Sequence, residues 1–393
     1  MTRRSVCSRR VEGNFWRRVG IVIAALLLAS SSIGAAPDET RATMKQIFGA
    51  MQPLLLQALS AGSFADPKSA AEIGEALTLL EGSSAYLAKH ADARGVAFAH
   101  LGALLAADAK EAHKRWDKGD PEAARFLVLQ MTETCVACHS RLPSKSDAAL
   151  SRGFASEADI AGLAIHEKAL VYFATRQFGA ALDAYEALMS SAEYSARDID
   201  MMGHLDEYLE LCIRVRSDPG RAIDALERFA ARKDAPRVLK QEVSTWVDVL
   251  RARPLPEGGS IDDAQRLVDD AREATPGHND RDALVEYLVA GSILHRRLES
   301  GIAEPKERAR AFYLLGVIDT RIGRSFWLSQ AETFLEAAIR TAPGTELAGD
   351  AFELLEEYTI AGYTGSGGEQ IPADVAARLD ALRALLPEAG SEA

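Results

Sequence analysis

Cysteine is scarce in this chain, with four residues in 393. Cys7 lies near the N-terminus, Cys135 and Cys138 stand three positions apart, and Cys212 follows alone. These numbers and spacings exclude the disulfide framework that holds many small secreted domains together. Cys212 lies within an apolar segment, so we expect it to be a buried and inert thiol.

The chain also lacks an excess of basic residues. Its 45 lysines and arginines are outnumbered by 57 aspartates and glutamates, and its formal net charge is −12. An acidic surface repels the phosphates of nucleic acids and the anionic face of a membrane. We therefore expect no nucleic-acid partner. The charge is compatible with a partner protein that has a basic surface, but solubility alone explains it as well.

No apolar run is long enough to cross a bilayer. The longest, 19–29, falls short of the roughly 20 residues that a membrane span requires. Arginines at positions 3, 4, 9, 10, 17 and 18 precede this run, and small residues at 30–36 follow it. This order is typical of a cleaved signal peptide. We expect residues 1–35 to be removed after Ala35, no stable membrane span, and a periplasmic location for the mature chain.

One short motif carries most of the chemical information, the segment Cys135-Val136-Ala137-Cys138-His139. Two cysteines three apart, with a histidine directly after the second, form the attachment pattern of a c-type haem. Each cysteine can form a thioether to a haem vinyl group, and His139 can ligate the iron. The alternatives are half of a zinc site, which would need a second pair of ligands nearby, and a thiol redox pair, which would need a βαβ context. Neither requirement is met by the sequence.

The region around this motif has the periodicity of four helices. Apolar stripes predict helices over 38–60, from 66–67 with a stripe that reaches Leu87, over 94–118, and from 121 into the motif. Asp66-Pro67 and Asp120-Pro121 are typical helix starts, since aspartate caps an N-terminus and proline fits the first helical turn. Four helices joined by short links predict a four-helix bundle over 37–143 with a haem in its core.

The first and fourth of these helices resemble cytochrome c prime and its methionine-ligated relatives. The matching residues are Arg41, Met44, Lys45, Gly49 and Met51, the segment 119–124, and the segment 135–141. The resemblance covers about a quarter of the chain. It implies a single covalent haem c, and a sixth iron ligand from the first helix.

Within that resemblance, Met44 is the first candidate for the sixth ligand and Met51 the second. Both can equally be core residues, because methionine fills irregular gaps well. Three histidines are further candidates: His90, His100 and His113. Arg41, Lys45 and Arg141 are the candidate contacts of the haem propionates, with a solvated surface role as the favoured alternative for each. The family commonly pairs through its first two helices, which implies a homodimer unless the attached solenoid blocks that surface.

The rest of the chain is predicted to be helical as well, which makes the fold class all-α. A polar segment at 144–156 is the expected linker. Over 157–393, small and aromatic residues recur with the spacing of degenerate tetratricopeptide-like repeats, which predicts an α-solenoid of helix pairs. The alternative is a plain helical domain that packs against the haem domain.

A solenoid commonly presents a groove that takes a peptide or a partner protein. Trp246, Phe326 and Trp327 are candidate anchors in such a groove, although core positions are the favoured interpretation for aromatic residues. The glycine-rich segment 365–368 lacks the lysine and hydroxyl residue of a phosphate-binding loop, so we expect no phosphate site there.

Two functions follow from these features. The first is an exported c-type cytochrome that transfers electrons, with a helical-repeat domain that docks a redox partner. The second is a haem-based gas-binding or sensor module whose sixth coordination position is open. A haem enzyme such as a peroxidase is disfavoured, because no distal acid–base pair is recognisable.

Overall fold

The computed structural model describes residues 36–91, 95–147, 153–154, 160–253, 255, 258–274, 281–322 and 328–387. The expected signal peptide at 1–35 lies outside these ranges, as do Phe326 and Trp327. The described residues form seventeen α-helices and one hairpin of two-residue strands. The predicted all-α class is therefore confirmed. No helix among them is long and apolar enough to span a membrane.

The first five helices form one group, called here the N-terminal group. They are α1 (Ala36–Leu59), α2 (Ala61–Phe64), α3 (Ala70–Lys89), α4 (Val96–Asp117) and α5 (Pro121–His139). The predicted start of α5 is confirmed, because the Asp120 carboxylate accepts a hydrogen bond from the Ala123 amide (3.2 Å). The predicted start of α3 at Asp66-Pro67 is wrong by about one turn. Asp66 instead accepts from the Lys68 amide (2.9 Å) in a tight turn that precedes the helix.

The four long helices of this group pack in cyclic order. α1 packs on α3, α3 on α4, α4 on α5, and α5 back on α1. Arg125 Nε near the start of α5 donates to the Ala58 carbonyl near the end of α1 (2.7 Å). Successive long helices are joined by short links and pack side by side, so their directions alternate and α1 and α5 run antiparallel. Their shared core consists of buried apolar side chains, among them Ile47, Met51, Leu54, Leu77, Leu80, Leu105, Val128 and Met131.

The remaining helices form a second group, the C-terminal group. They are α6 (Ile165–Ala174), α7 (Phe178–Ser190), α8 (Ala196–Met201), α9 (His204–Glu210), α10 (Pro219–Ala230), α11 (Arg237–Ala252), α12 (Ile261–Ala274), α13 (Leu284–Glu299), α14 (Pro305–Ile322), α15 (Ala331–Thr341), α16 (Glu346–Gly362) and α17 (Ala373–Arg383). A π-helical turn, Leu211–Arg216, continues α9, and β1 (Thr364–Gly365) pairs with β2 (Gly368–Glu369). Most neighbouring helices pack in pairs, such as α6 with α7 and α14 with α15.

Trp246, one of the three candidate groove anchors, is part of the core of the C-terminal group. Trp246 is fully buried, and its indole N–H donates to the Arg281 carbonyl (2.7 Å). The guanidinium of Arg281 lies over the indole ring, 5.2 Å from its centroid. An anchor for a bound peptide must be accessible, so Trp246 is a core residue and not a groove anchor.

The two groups are in direct contact. α5 packs on α6, and α4 packs on α15. Phe154, from the expected linker, stacks edge-on against Phe48 of α1 with ring centroids 4.9 Å apart. At the other end of that segment, the Ser144 amide donates to the Val215 carbonyl (2.8 Å). The described parts of 144–156 are therefore attached to both groups.

The crossing of α14 and α15 depends on one glycine. A methyl group placed on Gly316 would come within 2.5 Å of Leu335 Cδ2. Contacts this short force neighbouring side chains to move, which typically costs about 1–3 kcal/mol. We expect Gly316→Ala to lower the free energy of unfolding by this amount, as measured by urea denaturation.

Gly349→Ala in α16 is the matched control, because an added methyl group there meets no atom within 4 Å. This change should stabilise the protein by about 0.5–1 kcal/mol, since alanine is the better helix former. Equal effects of the two substitutions would contradict the close crossing.

Candidate functional site

The three side chains of the haem motif share one face of α5. Cys135, Cys138 and His139 follow the spacings of three and four residues that align side chains along a helix. The same stripe begins with side chains that are fully buried in the N-terminal core: Ala124, Val128 and Met131. The motif thus continues the core-facing stripe to the end of the helix, where the cysteines and the histidine are partly exposed.

His139 is held by a backbone carbonyl of the C-terminal group. Its Nδ1 lies 3.0 Å from the carbonyl oxygen of Ala174, at the end of α6. A carbonyl can only accept, so Nδ1 carries the proton and Nε2 presents a lone pair. Burial and, to a smaller extent, the Arg176 guanidinium lower the pKa of His139 to about 4, although the hydrogen bond to Ala174 acts in the opposite direction. The imidazole is therefore neutral at pH 7, the form and the orientation in which histidine binds a metal.

The two cysteines are poorly suited to thiol redox chemistry. They are not joined by a disulfide. Burial raises the pKa of the Cys135 thiol to about 12, with a smaller contribution from the neighbouring Cys138. A redox-active pair needs a depressed pKa so that a thiolate can attack. Cys135 is thus an unreactive thiol, which disfavours the redox-pair alternative.

The opposite face of α5 borders a small cavity. Glu133, Val136 and Ala137 line one side of it, and residues of the C-terminal group line the rest, among them Glu210, Arg214, His295, Asp319 and Gln330. The cavity volume is about 60 Å³, room for roughly two water molecules. It is far too small for a porphyrin.

Buried charges surround this cavity. Ser140 Oγ donates to Glu210 Oε1 (2.8 Å), and Arg214 donates to the same oxygen (2.9 Å). Arg141, a candidate propionate contact, also lies here, with Nη2 3.4 Å from His295 Nδ1. The end of α5 is therefore tied to the C-terminal group by charged hydrogen bonds. The propionate role of Arg141 stays a prediction.

The position of Met44 along α1 matches that of His139 along α5. The two helices are antiparallel and touch where Arg125 meets Ala58. Met44 lies 14 residues before Ala58, and His139 lies 14 residues after Arg125. At a rise of 1.5 Å per residue, both are about 21 Å from that contact.

Met51 and Arg41, two other candidates in α1, differ from Met44 in burial or in position along the helix axis. Met51 lies only about 10 Å from the contact by the same measure, and its side chain is buried in the N-terminal core. Met44 is half-buried at the edge of that core. Arg41 is exposed.

The three candidate histidines make contacts elsewhere. His90 Nδ1 lies 2.8 Å from the Tyr86 carbonyl, within its own helix. His113 Nδ1 lies 2.6 Å from Glu81 Oε2, across the contact of α3 and α4. His100 lines a groove between α4 and α15 together with Glu332 and Arg378. None of these observations brings a second imidazole to His139.

Two features beside the motif were not predicted from the sequence: the hydrogen bond of His139 to the Ala174 carbonyl and the charge of Arg176. Arg176 directly follows α6 and adopts a left-handed backbone conformation, with φ of 64°. Its Nε is buried and has no hydrogen-bond partner among the described residues. The local sequence Thr175-Arg176-Gln177 has neither glycine nor asparagine, the usual residues for this conformation. No local signal therefore indicated the turn.

The donor set fits a c-type haem. Two thiols, a neutral imidazole with its Nε2 lone pair available, and buried guanidinium groups nearby are what thioethers, an iron ligand and propionate contacts require. Within the described ranges, no group of three or more histidine, cysteine or carboxylate side chains could hold a metal ion. A haem iron needs only one or two protein ligands, because the porphyrin supplies four nitrogens.

Comparison of the chain with protein-family models, curated proteins and solved structures found no match. The function is therefore inferred from the residues of the site.

Asp319 makes the stability of this region depend on pH. Burial raises its pKa from 3.8 to about 6, and the Arg214 guanidinium and the Gln330 amide only partly offset this. The folded protein thus holds a proton that the unfolded chain has already lost between pH 4 and 6. The stability that this carboxyl group contributes is greatest below pH 4 and is lost as the pH rises through 6.

The neutral variant Asp319→Asn should remove this dependence. We expect it to unfold with a free energy about 1–3 kcal/mol higher than the wild type at pH 8, and with little difference at pH 4. Urea denaturation from pH 4 to 8 measures this, and exposed Asp248→Asn in α11 is the control. Parallel curves for Asp319→Asn and wild type would contradict the assignment.

Proposed function

We propose that this protein is a c-type cytochrome. Cys135 and Cys138 form thioethers to one haem, and His139 is an axial ligand of its iron. The observation that carries this proposal is the neutral His139 imidazole, held by the Ala174 carbonyl on the same helix face as both cysteines. α1, α3, α4 and α5 are then the four-helix bundle that resembles cytochrome c prime.

The haem supplies one-electron redox chemistry at its iron when bound. The chain contributes orientation and environment. The Ala174 carbonyl fixes the tautomer and ring angle of His139 and increases the basicity of its Nε2. Met44, whose position along α1 matches that of His139 along α5, is the proposed sixth ligand. A methionine–histidine pair raises the reduction potential and suits electron transfer.

The remaining features fit an exported electron carrier. Residues 1–35 are the proposed signal peptide, and a periplasmic location allows haem attachment. The C-terminal group is the proposed tetratricopeptide-like solenoid, which docks a redox partner protein. The acidic chain favours a partner with a basic surface. Pairing of two copies through α1 and α3 also stays a prediction.

A haem-based gas sensor is the second candidate. The hydrogen bond between His139 and Ala174 favours it, because this bond links the proposed iron ligand directly to the C-terminal group. A shift of His139 on gas binding at an open sixth position would then move α6. A methionine at the sixth coordination position of the iron supports electron transfer, and an open sixth position supports the sensor.

Covalent attachment is tested with cysteine variants expressed together with a haem-attachment system. Cys135→Ala combined with Cys138→Ala should yield protein without covalent haem, because no thiol remains beside His139 to form a thioether. Haem absorbance that survives denaturation and acid extraction measures attachment.

Cys212→Ala is the matched control, since Cys212 is buried in the C-terminal group. It should retain covalent haem at the wild-type level. Equal haem content in the double variant and the control would contradict attachment at the motif.

The sixth ligand is tested with a pair of methionine variants. Met44→Leu keeps the side-chain volume but removes the sulfur, so the reduced iron should change from low-spin to high-spin and bind carbon monoxide. Met51→Leu, two turns further along α1, should leave the spectrum unchanged. Absorbance spectra of the oxidised, reduced and carbon monoxide-treated proteins measure this.

The opposite result for the two variants would assign the sixth ligand to Met51. A wild-type protein that is already high-spin and binds carbon monoxide would contradict methionine ligation and favour the sensor.

A further inference from the structure

Arg176 occupies a backbone position where glycine is the usual residue. The Arg176 amide donates to the Phe173 carbonyl (3.0 Å), and the Gln177 amide donates to the Tyr172 carbonyl (2.8 Å). These two bonds form the capping motif that ends many helices, with Arg176 as its left-handed residue. Residues with a Cβ atom are disfavoured in this conformation, so the arginine needs a separate reason.

The environment of the Arg176 side chain supplies that reason. The residue is half-buried, and the Nε atom is buried without a hydrogen-bond partner among the described residues. Two neighbouring arginines of the same group form ion pairs with carboxylates, whether or not their Nε is satisfied. Arg214, whose buried Nε likewise makes no hydrogen bond among the described residues, pairs through Nη1 with Glu210, and Arg216 pairs with Asp147. A buried guanidinium nitrogen without an acceptor is costly, and a carboxylate is its best partner.

The location of Arg176 identifies where that carboxylate would come from. The Ala174 carbonyl, two residues earlier in the same turn, lies 3.0 Å from His139 Nδ1, which places the turn beside the haem motif. A haem attached at Cys135 and Cys138 would bring two propionates into this neighbourhood. No carboxylate side chain forms an ion pair with Arg176 among the described residues.

We propose that Arg176 is a propionate-binding residue, so that the C-terminal group completes the haem site begun by α5. This inference rests on the proposed haem attachment. The α6–α7 turn then has two roles at one place: its Ala174 carbonyl orients the iron ligand, and its arginine neutralises a carboxylate of the cofactor. The strained backbone is retained because glycine would supply the turn but not the charge.

The test is the reduction potential of the haem-loaded full-length protein. Loss of a positive charge beside a propionate disfavours the electron that reduction adds. In Arg176→Gln, the ratio of reduced to oxidised haem at a fixed solution potential should fall by up to about tenfold, or about 59 mV for a one-electron couple. Arg176→Gly should show the same shift.

The glycine variant separates this role from folding. Because glycine tolerates the left-handed conformation, Arg176→Gly should unfold at no lower temperature than the wild type. Exposed Arg197→Gln, on α8 of the same group, removes an equal charge and should leave the potential unchanged.

A potential that shifts equally little in Arg176→Gln, Arg176→Gly and Arg197→Gln would overturn the role of Arg176 while leaving haem attachment intact. A wild-type protein without covalent haem would instead overturn the proposed function, and the propionate role with it.

Discussion

The burial of α5 on two opposite faces is the constraint on which the structure depends. One face carries Ala124, Val128 and Met131 into the N-terminal core, and the other places Val136 against the core of the C-terminal group. A helix buried on both sides cannot rotate or slide without exposing one set of side chains. The positions of Cys135, Cys138 and His139 are therefore fixed by packing on both groups. The second group is part of the site, and the Ala174 carbonyl is its most direct contribution.

A charged network of Ser140, Glu210 and Arg214 lies behind α5. A buried ion pair such as Glu210 with Arg214 repays its desolvation cost only when its geometry is good, but removing one partner leaves an uncompensated charge. Ser140 joins this pair directly after the motif. The pair lies where α9 continues as a π-helical turn, a distortion that is frequent at functional sites. We infer that the network fixes the end of α5 in one register against the C-terminal group.

Local sequence signals predicted local structure well. The Asp120-Pro121 start of α5 and the shared face of the two cysteines follow from capping chemistry and helical periodicity. The same reasoning placed the start of α3 about one turn too early, because Asp66 closes a tight turn instead of capping the helix. Contacts between distant segments were not predictable. The Ala174 carbonyl lies 35 residues from His139 and is a backbone atom, which leaves no trace in a residue pattern. Trp246 was a candidate groove anchor although a core position was favoured, and only its packing decides between the two.

The central claim is that one haem is bound covalently at Cys135 and Cys138, and peptide mass spectrometry tests it most directly. Trypsin cleaves after Arg125 and Arg141, so the motif lies in a single peptide, 126–141. In protein exported from cells that attach haem, this peptide should carry the mass of one haem. The peptide 198–214, which contains Cys212, should be unmodified. An unmodified peptide 126–141, with both thiols free to react with an alkylating reagent, would contradict the claim.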